Sequence, residues 1–157
     1  MCIRDRDYMS RVLITCSPED SILEAAKKLA ENHISGMPVV KDDKVVGIIS
    51  VSDIVRYMSI EIKEHHLPPK EPQSIPMVIL NLLQNELRFK KELEKVSKSK
   101  VKDVMTKEVI YVEPDTSLFE AASLIQKHDI TRLPVIEEGK LVGIISKSDL
   151  VKALIEF

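Results

Sequence analysis

The sequence predicts an α+β fold: two β-α-β-β-α units joined by a helical linker. Three observations predict it. The chain repeats itself, because after a shift of 96 positions Asp7–Val55 lies on Asp103–Val151 without a gap, with 20 of the 49 pairs identical. Each copy alternates short apolar runs of strand length with a stretch of helical period. One such unit alone would bury too little surface, so the two copies are expected to pack face to face.

The elements follow in order. A short apolar strand is expected over Val12–Thr15 and again over Val109–Val112, each ending before a proline, Pro18 or Pro114. Ser21 with Glu24, and Ser117 with Glu120, have the Ser-x-x-Glu spacing that caps a helix reciprocally. The first helix then places Ile22, Ala25, Ala26, Leu29 and Ala30 on one face, and its copy places Leu118, Ala121, Ala122 and Ile125 there. A strand is expected through Met37–Val40 or Leu133–Ile136. A turn follows at Asp42-Asp43 or Glu138-Gly139, where glycine readily supplies a positive φ. The next strand is Val45–Ile49 or Leu141–Ile145, and a second helix begins near Ser50 or Ser146.

These elements divide the chain into a first unit at 7–57, a linker at 58–100 and a second unit at 101–157. In the linker, a turn-prone stretch, His65-His66-Leu67-Pro68-Pro69-Lys70-Glu71-Pro72, precedes a helix of about 76–97 that Ser74 could cap. Its first half is apolar (Val78, Ile79, Leu80, Leu82, Leu83, Leu87) and its second half, from Arg88, is charged and mostly basic. It reads as a solvated spacer against its own sheet, or as a helix whose apolar side packs on another subunit. At the other end, Arg4-Asp5-Arg6 stands opposite Lys100-Val101-Lys102, so a charge replaces the apolar Val101. Met1–Arg6 is therefore expected to be foreign to the unit.

Composition narrows the function. A net charge of −2 offers no global attraction for nucleic acid or an anionic membrane, and 4% aromatics without tryptophan leave no platform for stacking bases. The basic stretch Arg88–Lys102 is the remaining argument for nucleic acid and would predict steeply salt-dependent binding. No apolar run is long enough to span a bilayer, and the opening residues lack a signal-peptide core. Cys2 and Cys16 form no disulfide framework, so a reducing, cytoplasmic setting is expected, with Cys16 a small buried group. Cys2, Cys16, His33, His65, His66 and His128 show no metal-ligand spacing, and no nucleophile motif or phosphate loop appears. No catalytic machinery, metal or catalytic cofactor is expected, and the chain reads as no enzyme.

One constellation carries chemistry in both copies: Gly47-Ile48-Ile49-Ser50-Val51-Ser52-Asp53 and Gly143-Ile144-Ile145-Ser146-Lys147-Ser148-Asp149. Ser-x-x-Asp at the start of a helix is the spacing of a capping box. The same geometry offers open N–H groups and a positive dipole end to a phosphate, with a carboxylate one turn in for a pair of ribose hydroxyls. Spacing alone leaves both readings standing.

The repeated pattern resembles a tandem pair of CBS domains, often called a Bateman module. The features that carry it are the strand before proline, the Glu-Ala-Ala helix, the apolar-Pro-Val strand and Gly-Ile-Ile-Ser-x-x-Asp, over about two thirds of the chain with the linker outside. The resemblance implies two units packed with pseudo-twofold symmetry, a disc-like homodimer, and an adenosine-containing ligand (AMP, ADP or ATP, or S-adenosylmethionine) in clefts between the units. It implies that Asp53 and Asp149 hold ribose hydroxyls and that Ser50 and Ser146 lie near ribose or phosphate. Ser35-Gly36-Met37-Pro38 and Thr131-Arg132-Leu133-Pro134 would wall the adenine, and Thr15 and Tyr111 would line the cleft. Arg132 stands opposite Gly36, and Lys147 opposite Val51. Both are expected to bind phosphate, which makes the two clefts unequal. The function expected is a regulatory sensor acting on a partner protein. A structural module with unoccupied clefts, and the regulatory fragment of a larger enzyme or transporter, are the alternatives.

Overall fold

The structure is a computed structural model that describes residues 4–11, 13–63 and 75–156. Val12, the turn-prone stretch at 65–72 and the proposed cap Ser74 lie outside the described residues. The elements are α1 (Asp5–Tyr8), α2 (Ile22–Glu31), β1 (Gly36–Lys41), β2 (Lys44–Ser50), α3 (Val51–Lys63) and α4 (Ile75–Lys98), then α5 (Val101–Val104), α6 (Leu118–His128), β3 (Arg132–Glu137), β4 (Lys140–Ser146) and α7 (Lys147–Ile155).

Ser21 Oγ accepts from the Glu24 amide at 3.1 Å, and the Glu24 carboxylate accepts from the Ser21 amide at 3.1 Å, which closes the cap of α2. At the start of α6 the expected reciprocal cap is half made among the described residues: Ser117 Oγ accepts from the Glu120 amide at 3.2 Å, without the return bond from the Ser117 amide to the Glu120 carboxylate. Of the expected apolar faces, Ile22, Ala25 and Leu29 on α2 and Ala121 and Ile125 on α6 are buried; Ala26, Leu118 and Ala122 are half-buried, and Ala30, at the last turn of α2, is exposed. α4 begins one residue before the expected start, with Pro76 in its first turn, where its missing N–H costs no helical bond. α3 runs to Lys63, beyond the boundary drawn at 57.

The strands pair as hairpins, β1 with β2 and β3 with β4. In the second, Arg132 faces Ser146 and Glu137 faces Lys140, with an irregularity at Val135/Ile136. Both turns have positive φ at their two central residues: 50° and 62° at Asp42-Asp43, 52° and 79° at Glu138-Gly139. A Cβ on Gly139 would meet no atom within 4 Å, so Gly139→Ala tests the backbone alone. It is expected to cost about 1 kcal/mol in urea denaturation, through left-handed strain without a clash.

The first strand of each copy differs from expectation. Each is a single parallel bridge, Cys16 to Val39 and Val112 to Val135. The Cys16 amide donates to the Pro38 carbonyl at 3.2 Å and its carbonyl accepts from Val40 at 2.8 Å; Val112 does the same with Pro134 and Ile136 at 3.0 and 2.9 Å. In a parallel ladder the next bonded residue is two further on, and there stand Pro18 and Pro114, which have no N–H to give.

The chain forms two compact units, and neither is one sequence repeat. One comprises Met1–Ser17, Pro38–Ile48 and Thr106–Phe157; the other comprises Pro18–Met37 and Ile49–Met105. The core of the first joins Val112, Ala121, Ile125, Leu133, Val135 and Ile145. In the second, Ile22, Ala25, Leu29, Met37, Ile49, Val96 and Val101 are buried.

The opening segment corrects the expectation that Met1–Arg6 is foreign to the repeat; Met1–Ile3 lie outside the described residues. The Asp5 amide donates to the Thr116 carbonyl at 2.9 Å and the Arg6 amide to Pro114 at 3.0 Å. Ninety-six residues later, the Val101 amide donates to Asp20 at 2.8 Å and the Lys102 amide to Pro18 at 3.0 Å. Charges repeat as well: Arg4 and Arg6 reach Asp115 at 3.1 and 2.8 Å, as Lys100 and Lys102 reach Glu19 at 2.6 and 3.1 Å. Lys100 and then Lys102 hold the Glu19 carboxyl down at about 2. The backbone thus follows the repeat from Arg4 onward. What departs is one side chain: Asp5 is fully buried where Val101 is, and among the described residues neither carboxylate oxygen has a hydrogen-bond partner. Burial, and secondarily Glu120, push its pKa up to about 7.

Candidate functional site

Each Ser-x-x-Asp lies where a hairpin strand ends and a helix begins. In the first copy, Asp53 Oδ2 accepts from the Ser50 amide at 3.0 Å and the Ser50 hydroxyl at 2.9 Å, and the Asp53 amide donates to Ser50 Oγ at 3.2 Å. In the second, Asp149 Oδ2 accepts from the Ser146 amide and hydroxyl at 2.8 and 2.7 Å, and its amide donates back at 3.4 Å. Both are closed capping boxes.

The helix starts are also less open than the spacing suggested. The Val51 amide donates to the Ser35 carbonyl at 2.9 Å, and the Lys147 amide to the Thr131 carbonyl at 3.1 Å. With the third amide of each helix on the serine, the groups left to an anion narrow, among the described residues, to the amides of Ser52 and Ser148. The expected row of open N–H groups is therefore corrected: the hairpin and the cap use two of the three.

The outer carboxylate oxygen separates the copies. Asp53 Oδ1 accepts from the Arg56 guanidinium at 2.6 Å, whereas Asp149 Oδ1 has Lys152 Nζ at 4.0 Å. The Asp149 side chain is also more exposed, 16% against 9%. Arg56 and Lys152 are repeat equivalents that the sequence reading passed over; their signal was a cation three residues after each aspartate.

In the unit holding the second cradle, Arg132 opens β3 directly across from Ser146 and is half-buried. Burial lowers its pKa, yet a guanidinium stays charged in any protein setting. Thr131 is exposed and is tied to Lys147 through the backbone bond above, while the Lys147 side chain is exposed. Thr131, Arg132, Ser146, Lys147 and Asp149 are thus brought together by one hairpin and one helix start. Tyr111, 52% exposed, precedes the bridge residue Val112. Thr15, half-buried, precedes Cys16, itself buried as expected.

In the other unit, Ser35 is exposed and joined to α3 by its carbonyl, near Ser50 and Asp53. Gly36, Met37 and Pro38 are buried, as are Leu133 and Pro134. Met37 and Leu133 have no exposed surface at all, which makes their side chains core.

Among the described residues, no helix is long and apolar enough to cross a membrane. The family model for the CBS domain matches twice, at residues 6–60 and 101–156. An uncharacterised protein of Methanocaldococcus jannaschii is 37% identical over 152 residues, covering 96% of this chain and 90% of its own length. Of the inosine-5'-monophosphate dehydrogenases that the chain matches, it spans 23% of the length or less. Among solved structures, CBSX2 in complex with AMP is 27% identical with a TM-score of 0.70, covering 98% of this chain and 97% of that one. A CBS domain pair in complex with 5'-methylthioadenosine and S-adenosyl-L-methionine is 25% identical with a TM-score of 0.70, covering 99% and 98%. Two matched regions on a gap-free repeat, each ending in the same Ser-x-x-Asp hairpin-to-helix junction, make this chain a member of the CBS domain family with the domain in tandem.

Proposed function

We propose that the chain is a regulatory module that binds an adenosine-containing ligand, AMP, ADP or ATP foremost, and that the second copy's Ser-x-x-Asp is the stronger half of its recognition. The observation that carries this reading is the difference at the outer carboxylate oxygen. Among the described residues Asp149 Oδ1 has an ion pair at 4.0 Å, so a ribose hydroxyl can donate to it while Oδ2 stays on Ser146. At Asp53 the same hydroxyl must displace Arg56 from a 2.6 Å contact. Arg132, across from Ser146, is assigned to phosphate, with Lys147 adding a second positive charge. Leu133, Met37, Pro38 and Pro134 would contribute backbone and shape, and Thr15, Ser35, Gly36, Thr131 and Tyr111 the surrounding surface. The ligands of the two solved CBS structures, AMP in one and 5'-methylthioadenosine with S-adenosyl-L-methionine in the other, support the choice of chemical class.

In this reading the module acts in the cytoplasm as a homodimer, without catalysis, and passes its binding state to a further protein. A ligand does so only by its differential affinity for two arrangements. The short share of the dehydrogenases that it spans supports a related reading, a regulatory part of a larger protein. The closed capping boxes favour a rival reading in which the module is structural and binds nothing.

A thermal-shift and calorimetry panel with AMP, ADP, ATP, S-adenosylmethionine and NAD separates these readings, since a ligand bound to the native state raises the melting temperature by mass action. The expected result is a concentration-dependent rise with at least one adenine nucleotide, reduced more by Asp149→Asn than by Asp53→Asn. No rise with any of the five at millimolar concentration would leave the structural reading standing.

A further inference from the structure

α4 lies outside both family-matched regions and carries two apolar faces. One faces its own unit: Val96 is 4% exposed, and Phe89 and Leu93, at 40% and 39%, lie toward the same side. The other is formed by Ile79, Leu80, Leu83 and Leu87, exposed by 54%, 50%, 54% and 62%, at spacings of three and four residues. On a helical wheel of 100° per residue this stripe points roughly 150° away from Val96. Four large aliphatic side chains in one exposed row mark an interaction surface rather than scattered surface hydrophobics.

The row has the register of a short coiled-coil seam. With Leu80 and Leu87 as one seam position and Leu83 as the other, Ile79 and Glu86 flank the seam on one side and Gln84 and Lys91 on the other. In a parallel, in-register pair, Glu86 of one copy meets Lys91 of the other, five residues on, and the reciprocal pair forms by symmetry. Ile79, Gln84, Glu86 and Lys91 are all exposed. An antiparallel pairing of the same seam sets neither charge against an opposite one among the described residues.

From the exposed stripe and its flanking charges we infer that α4 pairs in parallel with α4 of a second copy of this chain, through Leu80, Leu83 and Leu87, with Glu86 and Lys91 setting direction and register. Beyond Leu87 the seam positions become Lys90 and Glu94, so the seam is two turns of the repeat long. Three leucines per copy make a small contact beside the roughly 1,200 Å² or more that stable complexes bury, so the pairing is expected to be weak and concentration-dependent. The homodimer proposed above does not require this contact, so the two can fail separately.

Single cysteines placed in the full chain carrying Cys2→Ser test it. Under mild oxidation, Leu80→Cys and Leu87→Cys are each expected to form covalent dimers at least about tenfold faster than Arg88→Cys, which lies off the seam. Glu86→Lys is expected to slow the Leu87→Cys reaction, and adding Lys91→Glu to restore it, with circular dichroism confirming an unchanged fold. Sedimentation velocity reports the dimer independently. Rates no faster than Arg88→Cys overturn the proposal even if the chain is dimeric, because the dimer then uses another face. Cross-linking only between Leu80→Cys and Leu87→Cys chains when mixed overturns the parallel direction, and indifference to the charge swap overturns the register.

Discussion

Asp5→Val is expected to stabilise the chain and to flatten its stability against pH. The wild-type carboxyl is fully buried with both oxygens unpartnered among the described residues, in the place that Val101 fills in the other copy. Removing an unsatisfied buried polar group recovers about 1–3 kcal/mol. The pH term adds to this. The Asp5 pKa stands near 7 in the folded chain, against 3.8 as the ordinary value. Between those values the folded state binds a proton that the unfolded state has released, so stability falls as pH rises from about 4 to about 7 and levels off above. Three pKa units correspond to about 4 kcal/mol. Undocking of α1, a four-residue helix, sets a lower ceiling on the loss, because it returns the carboxylate to water. Urea denaturation of both chains at pH 5 and pH 8 reads the effect as a gain for Asp5→Val that is larger at pH 8. An equal gain at both values would show that Asp5 does not titrate in this range, and a loss at both would show that the site is built for a carboxyl.

Leu133→Ala and Arg132→Ala, neighbours in one strand, are expected to fail in opposite ways. Leu133 has no exposed surface and packs in the cluster with Val112, Ala121, Ile125, Val135 and Ile145. Truncating it leaves a cavity and is expected to cost about 3 kcal/mol, read as a lower urea midpoint at unchanged slope. Arg132 is half-buried at the strand's first residue, and its loss is expected to act mainly on ligand binding, with a smaller cost in stability than that of Leu133→Ala. It should weaken AMP or ATP binding by about tenfold or more while leaving adenosine nearly unaffected, since its assigned partner is phosphate. Calorimetry with adenosine and AMP in parallel reads the difference. Equal losses for both ligands would remove the phosphate assignment, and no loss for either would make Arg132 an ordinary strand-end charge.

How far the site was legible depends on the range of the interactions. Ser50-x-x-Asp53 and Ser146-x-x-Asp149 were readable as caps because the bonds span three residues. That both aspartates use one oxygen inward follows from the same local geometry. The difference between the outer oxygens turned on whether the cation three residues on closes to 2.6 Å, as Arg56 does, or stays at 4.0 Å, as Lys152 does. Spacing showed a cation in both copies and could not show its reach. Met37 and Leu133 were assigned to the wall of a ligand site from their motif position, and their complete burial appears only once the strands have neighbours.

The sequence by itself determined the tandem repeat, the order of the elements, the helix caps, the positive-φ turns and the apolar faces of α2 and α6, all of which rest on residues within a few positions of one another. The tertiary structure decided how segments of the two copies are shared. α1 of the first copy docks on Pro114–Thr116 of the second, and α5 of the second docks on Pro18–Asp20 of the first, so each compact unit draws on both repeats. The sequence could not choose this arrangement because the two docking sites are near-copies of one another, offering the same carbonyls and an acid to the same pair of basic residues. With local chemistry degenerate, the choice falls to which long-range closures bury the most apolar surface for the chain entropy they cost. That same exchange buries Asp5 where the other copy has Val101: the repeat frame showed the charge in the apolar position, and only the tertiary structure showed it fully buried.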